Sequence, residues 1–111
     1  MAMRQRLATL LVLAAAALPG LAADEAAQMA LGKQLFTQAA QPACALCHTL
    51  RDAGSEGAVG PVLDELRPDA TRVANALRNG LGNMPAYKDS LSEAQIQALA
   101  LYVSRASGGA R

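Results

Sequence analysis

The sequence predicts a small all-α protein with three main helices. Three segments carry apolar residues at helical spacing, and each follows an acidic residue or a serine of the kind that begins helices. No segment shows the alternation of apolar and polar residues that indicates a strand. A chain of 111 residues has the length of a single domain.

The N-terminus has the order of a secretory signal peptide. Two arginines lie within the first six residues, an apolar run of about 12 residues follows, and small residues come next. We predict that residues 1–22 are removed after Ala22, with cleavage after Ala23 as the alternative, leaving a functional domain of residues 23–111. A retained membrane anchor is the competing interpretation, but a bilayer span needs roughly 20 apolar residues.

Cleavage would change the charge of the protein. The whole chain has 10 basic and 9 acidic residues and a formal net charge of +1. Loss of the two N-terminal arginines leaves eight basic and nine acidic residues, a net charge of −1. Nothing in this distribution indicates a nucleic-acid partner, which needs a clustered basic surface. We expect a periplasmic protein without a membrane span after cleavage.

The first helix is expected over residues 26–39. Pro19 and Gly20 are expected to interrupt any helix before it, and two acidic residues before Ala26 favour a helix N-terminus. A single helical turn is predicted over residues 62–66.

The other two main helices carry terminal signals. Asp69 is a predicted N-cap for the second helix, and Gly80 stands where its C-cap is expected. Ser92 begins the third helix, with Gln95 as its capping-box partner. Residues 107–111 are expected to form a frayed tail.

The candidate chemistry lies in Cys44-Ala45-Leu46-Cys47-His48. A C-x-x-C-H string is the signature of c-type haem attachment. Thiols at this spacing reach two vinyl groups of one porphyrin, and the next residue presents its imidazole to the iron. We predict that Cys44 and Cys47 bind one haem c covalently and that His48 ligates its iron.

Two other uses of this cysteine pair compete with haem. In an exported chain, two close cysteines can form a disulfide or a redox dithiol. A thioredoxin-like pair needs a βαβ setting, and no strands are predicted. A structural zinc site needs four ligands, whereas the chain has only two cysteines and one histidine.

The second iron ligand is predicted to be Met84. No second histidine exists, and two of the four methionines leave with the signal peptide. Met29 lies on the first predicted helix and is interpreted as core filler. Met84 lies in a glycine-rich loop, followed by Pro85, which stiffens it. A loop methionine this far beyond His48 can reach the other face of a haem.

A closed iron site favours electron transfer over catalysis. Histidine and methionine together fill both axial positions and raise the reduction potential. A peroxidase needs an open iron site and a distal acid or base, and the chain has no spare histidine. A haem-based sensor needs a replaceable ligand and an output domain. We expect a protein that is not an enzyme and that has a redox protein as donor and another as acceptor.

These motifs together resemble the class I cytochromes c. The likeness rests on C-A-L-C-H, on Gly60-Pro61 and on Asn83-Met84-Pro85, and it covers about residues 25–105. It implies a small cytochrome c fold, in which the three helices wrap around one covalently bound haem. It also implies that the Pro61 carbonyl accepts a hydrogen bond from His48, which would orient that ligand.

The resemblance extends to a helix crossing. Gly32 and Phe36 resemble the family's glycine–aromatic pair on the first helix, and Leu99 and Tyr102 resemble its partner pair on the last. A glycine lets two backbones approach closely. The alternative for Gly32 is a merely tolerated helix glycine.

A narrower likeness concerns the partner. The strings G-A-V-G-P, L-D-E-L-R-P-D-A and N-M-P-A-Y resemble the haem subunit of bacterial sulfite dehydrogenases, which implies electron uptake from a molybdenum subunit. A free mobile carrier to a terminal oxidase shares these motifs and is the alternative. Arg51, Arg78 and Lys88 lie near loop ends and are candidates for partner recognition, with ordinary solvation as the alternative.

Overall fold

The computed structural model describes Thr9 and residues 19–110. This part is mostly helical, as predicted, with one small hairpin. Its elements are α1 (Pro19–Gln34), β1 (Thr49–Leu50), β2 (Ser55–Glu56), α2 (Leu63–Leu66), α3 (Ala70–Asn79) and α4 (Glu93–Ser107). A π-helical turn, Leu35–Ala39, continues α1, and short 3₁₀ turns span Cys44–Leu46 and Arg51–Ala53. The hairpin was not predicted, because two-residue strands are too short to show alternation.

Helix α1 begins earlier than predicted. Its first described residue is Pro19 rather than a residue near 26. The expectation that Pro19 and Gly20 interrupt a helix before them concerns residues 10–18, which lie outside the described residues. A proline in the first turn lacks an N–H that would have no acceptor within the helix in any case. The predicted signal peptide lies outside the described residues, apart from Thr9 and residues 19–22. None of the described helices is long and apolar enough to cross a bilayer.

The predicted terminal signals of α3 and α4 are confirmed. The Asp69 side chain accepts a hydrogen bond from the Arg72 backbone N–H at 2.8 Å. Gly80 ends α3 with a positive φ of 70°. At the start of α4, Ser92 and Gln95 exchange side-chain-to-backbone hydrogen bonds of 3.1 and 2.8 Å. These caps satisfy backbone groups that have no partner within their helices.

The tail after α4 is docked rather than frayed, which corrects the prediction. Gly108 adopts a left-handed conformation, and its carbonyl accepts a hydrogen bond from the Arg67 guanidinium at 3.1 Å. A Cβ built on Gly109 would lie 2.6 Å from the carbonyl carbon of Pro68. Because the two glycines have no side chains, the tail packs directly on the segment before α3.

The frame of the fold is the crossing of α1 and α4. A Cβ built on Gly32 would lie 2.5 Å from the Tyr102 Cβ and 3.0 Å from the Ala98 carbonyl carbon. Next to this contact, the rings of Phe36 and Tyr102 meet edge to face, with centroids 5.9 Å apart and planes at 66°. Leu99, one turn away, is buried as well. Any side chain at position 32 would therefore collide with α4, and Gly32 and Phe36 both contact Tyr102 of the implied partner pair.

A polar contact ties this crossing to the segment that follows His48. The Tyr102 hydroxyl donates a hydrogen bond to the Asp52 carboxylate at 2.6 Å, and the Lys33 ammonium lies 3.5 Å from the same carboxylate. The bond from Tyr102 lowers the pKa of Asp52. Burial, together with the neighbouring carboxylate, raises the pKa of Tyr102. Helices α1 and α4 are thus linked to the turn at residues 51–53.

We expect Gly32→Val to destabilise the protein by about 1–3 kcal/mol, because the new side chain must push α4 away. The matched control is Ala30→Val on the exposed face of α1, where the cost is the helix propensity difference of about 0.5 kcal/mol. Denaturant unfolding of both variants measures this. Equal losses in the two variants would contradict the close helix approach.

Candidate functional site

The C-x-x-C-H segment forms one helical turn. The Cys44 carbonyl accepts hydrogen bonds from the N–H groups of Cys47 at 3.2 Å and His48 at 3.0 Å. Residues three and four apart share one side of such a turn. Both thiols and the imidazole consequently line the same cleft, whereas Leu46 between them is 68% exposed. The spacing in the sequence therefore places three reactive side chains together.

The imidazole of His48 is held in one tautomer. Its Nδ1 lies 2.8 Å from the Pro61 carbonyl oxygen. A carbonyl only accepts, so Nδ1 carries the proton and Nε2 keeps its lone pair for a metal. A Cβ built on Gly60 would lie 2.5 Å from the His48 Cε1 atom and 2.9 Å from Nδ1. The chain at residues 60–61 thus packs directly on the ring that it orients.

The hairpin brings that segment back over the motif. Strands β1 and β2 pair antiparallel, with Leu50 opposite Ser55. The buried Ser55 hydroxyl donates to the His48 carbonyl at 2.8 Å and accepts from the Leu50 N–H at 3.0 Å. The Gly60 N–H donates to the Cys47 carbonyl at 2.7 Å. These bonds support the backbone of the predicted iron ligand, and no local sequence signal had pointed to Ser55.

The cleft has a volume of about 820 Å³, within the range of about 300–1,000 Å³ that is usual for cofactor sites. Its walls are mainly apolar. Among the described residues that line the cleft, Asp69 is the one acidic residue and Arg72 the one lysine or arginine, both at the start of α3. The apolar lining includes Phe36, Leu63, Leu66, Val73, Leu77, Leu99 and Val103. Such a cleft accepts a large flat apolar group with a small charged edge.

Met84 lines the same cleft from the loop after α3. The Met84 N–H donates to the Leu81 carbonyl at 3.0 Å, and the Leu81 N–H donates to the Met84 carbonyl at 3.1 Å. Gly80 and Gly82 have positive φ values of 70° and 57°, which suit this tight turn. Met29 packs against the hydrophobic core and is absent from the lining of the cleft. All five predicted site residues, Cys44, Cys47, His48, Pro61 and Met84, therefore line one cleft.

One residue of the cleft lining, Tyr87, was not predicted from the sequence to belong to the site. Tyr87 is 3% exposed, and its hydroxyl donates to the Pro42 carbonyl at 2.7 Å. Burial raises the pKa of this hydroxyl to about 12. Its backbone N–H donates to the Leu77 carbonyl at 2.6 Å. The one available signal was an aromatic residue three positions after Met84 in a loop of small residues.

The state of the thiols bears on the competing interpretations. Burial raises the pKa of the Cys44 thiol to about 11. A redox dithiol of the C-x-x-C type needs a lowered thiol pKa, so this environment opposes it. No disulfide joins Cys44 and Cys47, so both sulfur atoms are available for thioether bonds. Within residues 19–110, no three His, Cys, Asp or Glu side chains come together as a possible metal site.

Comparison with known proteins decides the family. A family model described as cytochrome c oxidase, cbb3-type, subunit III matches residues 27–103, which include the cysteine motif, Pro61 and Met84. The chain belongs to the class I c-type cytochromes. The cytochrome carries a covalently bound haem c, and it transfers electrons rather than catalysing a reaction.

Two relatives illustrate the likeness. The crystal structure of the c-type cytochrome SorU from Sinorhizobium meliloti is 52% identical and has a TM-score of 0.72, covering 75% of this chain and 94% of that one. Chloroplastic cytochrome c6 from Chlamydomonas reinhardtii is 36% identical over an alignment of 94 residues, which covers 76% of this chain. The cytochrome spans only 58% of the length of that cytochrome c6.

The charged candidates for partner recognition differ in their surroundings. The Arg78 guanidinium pairs with the Glu93 carboxylate and so links α3 to α4. That contact raises the pKa of Arg78 and lowers the pKa of Glu93. Arg51 and Lys88 are exposed. Arg78 thus has a role within the fold, whereas the other two side chains face solvent.

Proposed function

We propose that this cytochrome carries one electron on a haem whose iron is ligated by His48 and Met84. The observation that supports this most is the convergence of Cys44, Cys47, His48 and Met84 on one apolar cleft. When bound, the haem supplies an iron centre that gains and loses one electron. A histidine–methionine pair raises the reduction potential and leaves no open position for oxygen or peroxide.

Each wall of the cleft has a part in this proposal. Cys44 and Cys47 would hold the group through thioethers, and the Pro61 carbonyl orients His48 so that its Nε2 would be available to the iron. Phe36, in the π-helical turn that continues α1, and side chains of α3 and α4 line the cleft and would exclude water from a bound haem. Arg72, as the one lysine or arginine of the lining, offers a cation to the haem carboxylates.

We further propose that the protein works in the periplasm. The basic start, apolar run and small residues of the N-terminus support export. The proposed cut after residue 22 or 23 falls in the exposed first turns of α1 and leaves the contacts of Gly32 and Phe36 intact.

For the partner, we propose the molybdenum subunit of a sulfite dehydrogenase as electron donor. The support is the run of motifs from the cysteine pair to N-M-P-A-Y, together with the 52% identity to SorU over nearly all of that chain. A free carrier to a terminal oxidase is the second candidate, because the family model that matches the chain is named for a subunit of such an oxidase and so links this type of domain to oxidases.

Substitution of Met84 tests the ligand. We expect Met84→Ala to abolish the near-infrared charge-transfer band of methionine-ligated ferric haem and to lower the reduction potential, because the soft axial ligand is lost. Met29→Ala is the matched control, since Met29 packs on the core away from the cleft. The control should lose stability and keep the band. Survival of the band in Met84→Ala would refute the ligand assignment.

Reduction by a partner tests the donor. The oxidised cytochrome is mixed with sulfite and a purified bacterial sulfite dehydrogenase molybdenum subunit, and the visible α-band is followed by stopped flow. We expect reduction within the turnover time of that subunit and none when sulfite or the subunit is left out. If dithionite reduces the cytochrome but the sulfite system does not, the donor assignment is wrong and the free-carrier alternative gains support.

A further inference from the structure

The loop that carries Met84 has few attachments to the rest of the cleft. At its start, the loop leaves α3 through Gly80, and at its end the Tyr87 N–H returns to the Leu77 carbonyl at 2.6 Å. Between these points, Met84 bonds only to Leu81 within the loop itself. The backbone thus fixes the shape of the loop and its junction with α3, but not its distance from the cysteine motif.

The Tyr87 side chain connects the loop that carries Met84 to the segment that carries the cysteine motif. Its hydroxyl donates to the carbonyl of Pro42, two residues before Cys44, at 2.7 Å. Among the hydrogen bonds of residues 19–110, it is the one that joins the segment 80–91 to the segment 40–48. The two partners lie 45 residues apart in the chain. The same ring is buried and lines the cleft.

We propose that Tyr87 is a positioning residue, whose hydrogen bond to Pro42 holds Met84 at a set distance from the motif that carries the haem. This inference rests on the proposed ligation by Met84. The physical reason is that Met84 stays bound to the iron only while its loop keeps a constant distance from the segment that carries Cys44 and Cys47. Loss of the hydroxyl frees the loop while leaving the aromatic ring to fill the core.

The hydroxyl is suited to this task. Burial raises the pKa of Tyr87 to about 12, so the group stays protonated and remains a donor across the physiological range. On the C-terminal side, the Tyr87 carbonyl accepts hydrogen bonds from the N–H groups of Leu91 at 2.8 Å and Ser90 at 3.0 Å. The backbone of Tyr87 is therefore hydrogen-bonded on both sides. The bond from its side chain to Pro42 consequently fixes the position of the loop as well.

The test is competition for the iron in the holoprotein. Imidazole is titrated into the oxidised wild type and into Tyr87→Phe, and its dissociation constant is read from the loss of the near-infrared methionine band. One buried hydrogen bond corresponds to about a three- to tenfold change in an equilibrium constant, so we expect imidazole to bind Tyr87→Phe about three- to tenfold more tightly.

Tyr102→Phe is the matched control. It also removes one part-buried tyrosine hydrogen bond, here to Asp52, but Tyr102 is absent from the lining of the cleft. We expect this variant to lose stability in denaturant and to bind imidazole as the wild type does.

Three outcomes separate the explanations. Tighter imidazole binding in Tyr87→Phe alone supports the positioning role. Unchanged binding in Tyr87→Phe, with the methionine band present in the wild type, overturns it and leaves Met84 as ligand. An equal change in both variants also overturns it, because the effect then follows global stability. A wild type without the methionine band contradicts the proposed ligation itself.

Discussion

The structure depends on one helical turn, in which the Cys44 carbonyl accepts hydrogen bonds from both Cys47 and His48. This turn fixes two thiols and an imidazole on the same side of the chain. Each neighbouring element then supports that arrangement: the hairpin through Ser55, and the following loop through the Pro61 carbonyl. The side chains that would attach the haem are therefore positioned by hydrogen bonds within residues 44–61, none of which comes from one of the main helices.

The helices supply the frame that closes this site. Helices α1 and α4 cross at Gly32, where the absence of a side chain lets the backbones meet, and Phe36 and Tyr102 fill the space beside the contact. Helix α4 also packs on α3, which forms another wall of the cleft. The chain has only three aromatic residues. Phe36 and Tyr102 pack together at this crossing, and Tyr87 lines the cleft. A small domain with so thin a core gains the missing apolar volume from its cofactor.

Much of the fold and of the candidate site could be predicted from local patterns in the sequence. The cysteine motif, the caps at Asp69 and Ser92, and the loop methionine are all visible in short stretches of chain. Features that depend on distant contacts were missed or wrong. The docking of Gly109 on Pro68 and the bond from Tyr87 to Pro42 join segments that no local pattern relates. The contact between His48 and Pro61 was expected only through the family resemblance, since a proline in a turn has no signal of its own.

The proposed electron-transfer role depends on an iron site closed by one nitrogen and one sulfur ligand from the chain. X-ray absorption at the iron edge of the purified holoprotein measures this directly, because the thioether sulfurs of Cys44 and Cys47 attach to the porphyrin rather than to the iron. We expect a single sulfur atom among the atoms bonded to the iron in both oxidation states. A first shell of nitrogen or oxygen atoms alone would contradict it.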